Sequence, residues 1–204
     1  MPEESGNVRA FICIPLESLL IEEIANLQRQ LESDLPKNAA RWNPPQQIHL
    51  TLKFLGSVPR GELKSLQTAL EHGCTGVVPF QLRSEGIGAF PSLRNPRVIW
   101  AGLLGDLETL LTLQRQIDAA TKRWSEEDES HVFRPHLTLA RIKTPQPGTL
   151  RQIGERLREA KFVSQHPWRV EQIALMQSQL SPDGAVHCLI AAALLSDAGG
   201  AKVV

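Results

Sequence analysis

The order of elements in this 204-residue chain predicts an α+β fold with a largely antiparallel sheet, and a repeated motif and a folded-protein composition accompany it. Strand-like and helix-like segments are interspersed, yet clean strand–helix–strand units are few and several strand candidates are joined directly by turns. The tetrapeptide HLTL occurs twice, at His49–Leu52 and His136–Leu139, 87 residues apart and each time in a strand-like setting. Hydrophobic residues make up 42% and charged residues 22% of the chain, the balance of a folded protein with a real core.

The elements follow in order. VRAFICI, residues 8–14, is β-branched and aromatic and reads as a first strand ended by Pro15. Leu20, Ile24, Leu27 and Leu31 recur at helical spacing, so a helix is expected over roughly residues 17–33, closed by Pro36. QIHLTLKFL, residues 47–55, alternates as a strand does, and Gly56 is expected to end it. A second helix, roughly residues 59–72, would bury Leu63, Leu66 and Leu70. Strands at 79–85 and 97–103 flank GIGAFPSLRNP, read as a loop. Asp106 is a suitable N-cap for a third helix, about 106–124, with Leu107, Leu110, Leu111 and Ile117 as its apolar stripe. SEEDESH, residues 125–131, is a polar connector, and HLTLARI, 136–142, is another strand. A fourth helix near 149–160 precedes strands in 162–178 and 186–195, joined by the turn SPDG at 181–184. One domain over residues 1–196 is expected, with 197–204 a flexible tail.

Charge and composition remove several classes of function. Lys+Arg and Asp+Glu each number 22, so there is no basic surplus for coating long nucleic acid, although a local anion pocket is allowed. The longest apolar run, Leu189 to Leu195, is far short of the roughly twenty residues a membrane span needs. The opening MPEESGN is acidic and polar, unlike a signal peptide. Cys13, Cys74 and Cys188 have neither metal spacing nor the pattern of a disulfide framework. They read as small buried hydrophobes, and a cytoplasmic location is expected. Tyr is absent, which leaves His, Trp, Phe and Arg for acid–base work and stacking.

The repeat is where the chemistry concentrates. Side chains at i and i+2 of a strand share a face. His49, Thr51 and Lys53 would face one way, with Leu50, Leu52 and Phe54 in the core. His136 and Thr138 would likewise share a face, with Leu137 and Leu139 buried. Each strand thus offers an imidazole that titrates near neutrality beside a hydroxyl that can hold an anionic oxygen. Two such pairs flanking one cleft suit phosphodiester chemistry without a metal. One His takes a proton from water, the other returns one to a departing ribose oxygen, and hydroxyls and a guanidinium hold the phosphate. Lys53, Arg134 and Arg141 are the nearby cations. His72, His131, His166 and His187 read as structural, the four Trp as core, and EEDE at 126–129 as solvated.

With these residues in view, the chain resembles the two-histidine phosphoesterase superfamily, and within it the RNA 2′,3′-cyclic phosphodiesterase, or 2′–5′ RNA ligase-like, branch. RAFICIPL, RWNPPQQIHLTLKFLGSVP, GIGAFPSLRNPRVIWAG, FRPHLTLARIK and LMQSQLSPDGAVH carry the resemblance in order along nearly the whole chain. It implies a bilobal fold of two similar α+β halves, related by internal duplication, around a central cleft. It implies hydrolysis of a ribose 2′,3′-cyclic phosphate, at RNA termini or in small cyclic nucleotides, to a 2′-phosphate. His49 matches the proton donor and His136 the proton acceptor, while Thr51, Thr138 and Arg141 match phosphate-binding residues. No cofactor, metal or membrane is implied, and a monomer is expected. Two alternatives share the cleft: ATP-independent 2′–5′ ligation as the main role, or a non-catalytic RNA-end binding module. Strict alternation turns Arg141 away from His136, so a bulge or a strand end must re-aim it. Relatives often carry Tyr shortly after the SPDG turn, where this chain has His187.

Overall fold

A computed structural model describes residues 6–125, 132–143, 146–181 and 184–196. The chain runs β1 (Asn7–Pro15), α1 (Ser18–Asp34), β2 (Ala40–Trp42), β3 (His49–Pro59), α2 (Leu63–Cys74), β4 (Phe80–Ser92) and β5 (Asn95–Gly105). It continues through α3 (Leu107–Ala120), β6 (Leu137–Ile142), α4 (Pro147–Glu159), β7 (Trp168–Val170), β8 (Gln172–Ser181) and β9 (Gly184–Leu194). The α+β expectation holds. Every strand–strand ladder is antiparallel.

The strands form one sheet in the order β7-β4-β5-β6-β3-β1-β8-β9, with β2 added alongside β6. Its midpoint is narrow: β3 meets β6 through a single pair, Leu50 opposite Leu137. With β2 set aside, four strands lie on each side of that junction, and on each side the strand of the HLTL motif is the innermost. The amphipathic helices cover one face of the sheet. Leu20 and Ile24 of α1, Leu66 and Leu70 of α2, Leu110 and Ile117 of α3 and Ile153 of α4 are buried with Ile12, Leu50, Ile99 and Leu137 of the strands. A smaller apolar group, Phe11, Cys13 and Ala174 with Met176 against it, stands apart from that core.

Several boundaries move. β3 runs through Gly56, whose φ of 72° only glycine adopts readily, and reaches Pro59. The stretch read as a loop at GIGAFPSLRNP is instead the tip of a long β4–β5 hairpin, bulged after Ser84. β2 was not anticipated. It is only three residues long and has no alternation to read. Asp106 is the N-cap residue of α3 as expected, but its side chain makes no capping bond to the helix, and its Oδ2 accepts from the Gln81 backbone N–H at 2.9 Å. Leu113, not Leu111, completes the buried stripe of α3. Cys13 and Cys74 are buried as expected and Cys188 is exposed. Among the described residues no helix is long and apolar enough to cross a membrane. The acidic run at 126–129, His131 and the tail at 197–204 lie outside the described residues.

Candidate active site

The two HLTL strands meet at the centre of the sheet. Leu50 and Leu137 are fully buried, and Leu52 and Leu139 are buried beside them. Because Leu50 opposes Leu137 in an antiparallel pair, one step of register sets His49 across from Thr138 and Thr51 across from His136. All four side chains lie on the face opposite the leucines and are partly exposed. Both imidazoles are anchored in the same way. His49 Nδ1 donates to the Gln47 carbonyl at 2.8 Å, and His136 Nδ1 donates to the Arg134 carbonyl at 2.6 Å. Each bond consumes Nδ1 and fixes the tautomer, leaving Nε2 as the nitrogen available to a substrate.

Each motif is followed by a bulge at the same residue. On β3, Thr51 pairs with Cys13 and Lys53 with Ile12, so Leu52 has no partner. On β6, Thr138 pairs with Trp100 and Ala140 with Ile99, so Leu139 has none. A bulge adds one residue and reverses the alternation beyond it. Lys53 and Ala140 therefore turn into the core, while Phe54 and Arg141 turn out to the face of the histidines. Of the two ways of re-aiming Arg141, a bulge or a strand end, the structure has the bulge. Two expectations are corrected by the same geometry. Lys53 is buried and spent on α3, where its Nζ donates to the Asp118 carbonyl at 2.9 Å and pairs with Asp118 Oδ1 at 2.6 Å. Phe54, expected in the core, is 51% exposed.

The β6 bulge is held from outside its own ladder. The Leu139 carbonyl accepts from the Asn43 backbone N–H at 2.9 Å and from Gln28 Nε2 at 3.0 Å. Gln28 Nε2 also donates to the Asn43 carbonyl at 2.8 Å, and Asn43 Nδ2 donates to the Thr138 carbonyl at 2.9 Å. Gln28 is a buried polar residue of α1, and these bonds account for its burial.

The surroundings of the two histidines differ. Phe11 stacks on His49 with centroids 4.8 Å apart, and His187 of β9 stands edge-on to both, 5.3 Å from His49 and 4.9 Å from Phe11. Burial pushes His49 down to about 4, and His187 adds to the fall, while the Gln47 carbonyl opposes it. Burial also lowers His187. Among the described residues His136 has a single ring neighbour of this kind, Phe90, edge-on at 4.9 Å. Phe90 lies 5.4 Å from Trp100, which rests so closely on Gly88 that a Cβ there would approach the indole to 2.1 Å. Trp100 thus belongs to the histidine face and not to the core, because its ladder partner is Thr138. His187 likewise leaves the structural group in which its position after a hairpin had set it. Trp100 Nε1 and His187 Nδ1 are, among the described residues, the buried side-chain polar atoms that lack a hydrogen-bond partner. Arg134 is exposed, and its backbone carbonyl is what serves the site.

Matched His-Thr strands at the centre of a helix-backed antiparallel sheet, each imidazole tied at Nδ1, bring together two groups of the kind acid–base chemistry uses. The chain belongs to the LigT-like phosphoesterase family, whose model matches residues 14–100 and 106–187, one HLTL in each match. The RNA 2′,3′-cyclic phosphodiesterase of Methanothermobacter thermautotrophicus is 31% identical over 180 residues, which cover 88% of this chain and 95% of that protein. The protein of the same name from Aquifex aeolicus is 30% identical over 184 residues, covering 90% and 95%. The crystal structure of TT0787 of Thermus thermophilus superimposes with a TM-score of 0.74 at 30% identity, covering 93% of this chain and 98% of that one. Escherichia coli LigT complexed with 3′-AMP shares the fold, with a TM-score of 0.70 at 21% identity, covering 95% and 100%.

Proposed function

We propose that this chain hydrolyses ribose 2′,3′-cyclic phosphates, at RNA 3′ ends or in nucleoside 2′,3′-cyclic phosphates, to 2′-phosphates without a metal. The observation that carries the reading is the matched anchoring of His49 and His136 across the Leu50–Leu137 junction. Two relatives that cover most of the chain bear the name of this activity.

In the proposed reaction His136 Nε2 takes a proton from water as the water oxygen bonds to phosphorus. The P–O3′ bond breaks, and His49 Nε2 delivers a proton to O3′. Thr51, Thr138 and Arg141 hold the non-bridging oxygens as charge moves onto them. The protons balance, because one enters from water and one leaves to the ribose. Burial keeps the free His49 near 4, so the acid must be recharged on binding. The phosphate supplies this, since an anion beside an imidazole favours the charged form. The same low value favours a second reading with the roles exchanged, His49 as base and His136 as acid.

We further propose an internal duplication within residues 1–196, supported by the four strands on each side of the junction and by the split family match. The three free cysteines suit a monomer working in the cytoplasm. Ligation through a 2′–5′ bond follows the same course with the 5′-hydroxyl of a second RNA end in place of water, its proton going to the base and O3′ leaving with a proton from the acid.

The test is a panel of nucleoside and oligonucleotide 2′,3′-cyclic phosphates in excess chelator. Turnover to the 2′-phosphate is expected. Strict dependence on an added divalent ion, or tight binding with no turnover, overturns the reading.

A further inference from the structure

The bulge that turns Arg141 outward does more than deliver one guanidinium. Arg141 is paired with Arg41 of β2, and residues directly opposed in an antiparallel ladder project from the same face. Beyond Arg141, alternation brings Lys143 to that face as well, and Arg41, Arg141 and Lys143 are all exposed. Along β6 and the residues that flank it the order on this face is His136, Thr138, Arg141, Lys143. A cationic stripe therefore continues outward from the histidines. It borders an open groove of about 420 Å³ whose lining includes Lys37, Arg41, Trp42 and Lys143, with Glu32 as the acidic residue among them. The chain carries no net charge, so this clustering is local.

One cyclic phosphate needs Arg141 and the threonines but not this extension. Two residues of strand advance about 6.8 Å, a step comparable with that between successive phosphates of a single-stranded RNA. We propose that Arg41 and Lys143 form a second phosphate subsite, which binds the phosphodiester on the 5′ side of the reacting nucleotide. The inference rests on the phosphodiesterase reading and narrows its substrate to oligoribonucleotide ends in preference to free cyclic mononucleotides. Arg41 brings a planar guanidinium charge and Lys143 a point charge, a combination suited to a phosphodiester monoanion.

The experiment compares kcat/KM for a cyclic mononucleotide with that for a dinucleotide bearing the same 2′,3′-cyclic end, which adds one phosphodiester. The unaltered protein is expected to prefer the dinucleotide by tenfold or more. Arg41→Ala and Lys143→Ala are each expected to cut that ratio by about fivefold, whereas Arg151→Ala, an exposed cation on α4, leaves it in place. Binding of a non-hydrolysable trinucleotide is expected to lose about 0.7 from its log–log salt slope in either subsite variant, the value for one lost single-strand contact. A ratio near one in the unaltered protein, or a ratio unmoved by both variants, overturns the subsite and leaves the phosphodiesterase reading standing. No turnover of either substrate overturns both.

Discussion

The two copies of HLTL have the same sequence, the same imidazole anchor and the same bulge, yet they build different half-sites. Five residues after each histidine the chain turns outward, presenting Phe54 on β3 and Arg141 on β6. Four residues after each histidine it turns inward, burying Lys53 against Asp118 in one half and Ala140 in the other. His49 lies under Phe11 and against His187, while His136 meets, among the described residues, only the edge of Phe90 as a ring contact. A repeated motif thus secures equal geometry, and the neighbours supply unequal chemistry. One imidazole is desolvated against Phe11 and His187, and the other is partly exposed on the face that also carries Arg141.

The largest effect comes from removing either imidazole. His49→Ala and His136→Ala are each expected to lower kcat/KM by at least about a hundredfold, the usual worth of a positioned acid or base. A substrate with sulfur at the 3′ bridging position, which leaves without a proton, separates the halves. The loss in the acid variant shrinks on that substrate, and the loss in the base variant does not. Recovery of His49→Ala supports His49 as acid, and recovery of His136→Ala exchanges the roles.

A smaller effect tests the residues after the bulges. Arg141→Ala is expected to cost roughly 10- to 100-fold in kcat/KM, the range of one charge-assisted hydrogen bond of about 1.5–3 kcal/mol. Phe54→Ala, at the matching position, removes no such bond and is expected to cost less. Equal losses would show that the halves bind phosphate alike.

The smallest effect concerns stability. His49 is near 4 when folded and near 6.5 when unfolded, so between those values the unfolded chain binds more protons. Its contribution is full above pH 6.5 and is lost as pH falls toward 4. Urea midpoints of the unaltered protein are expected to fall across that window, and those of His49→Gln less so. An identical decline in both removes the desolvation argument.

Alternation alone assigns the four leucines to the core and the two His-Thr pairs to the other face, because a strand has a period of two and the residues are local. The helix stripes were legible for the same reason, through their 3.6-residue period. The order of the pieces along the chain also identified the family. The fate of the residues just past each motif could not be read in this way. Lys53, Phe54 and Arg141 depend on a bulge whose cause lies in the partner strands, where Ile12–Cys13 and Ile99–Trp100 run on without the extra residue. On β6 that bulge is secured by Gln28, 111 residues away in sequence. His187 and Trp100 looked structural by position, and only pairing across β9–β8–β1 and β5–β6 brought them to the histidine face. The sequence alone determined which groups could do acid–base chemistry on a phosphate. Tertiary structure decided which cations reach it and which imidazole is desolvated, because those depend on contacts between segments distant along the chain.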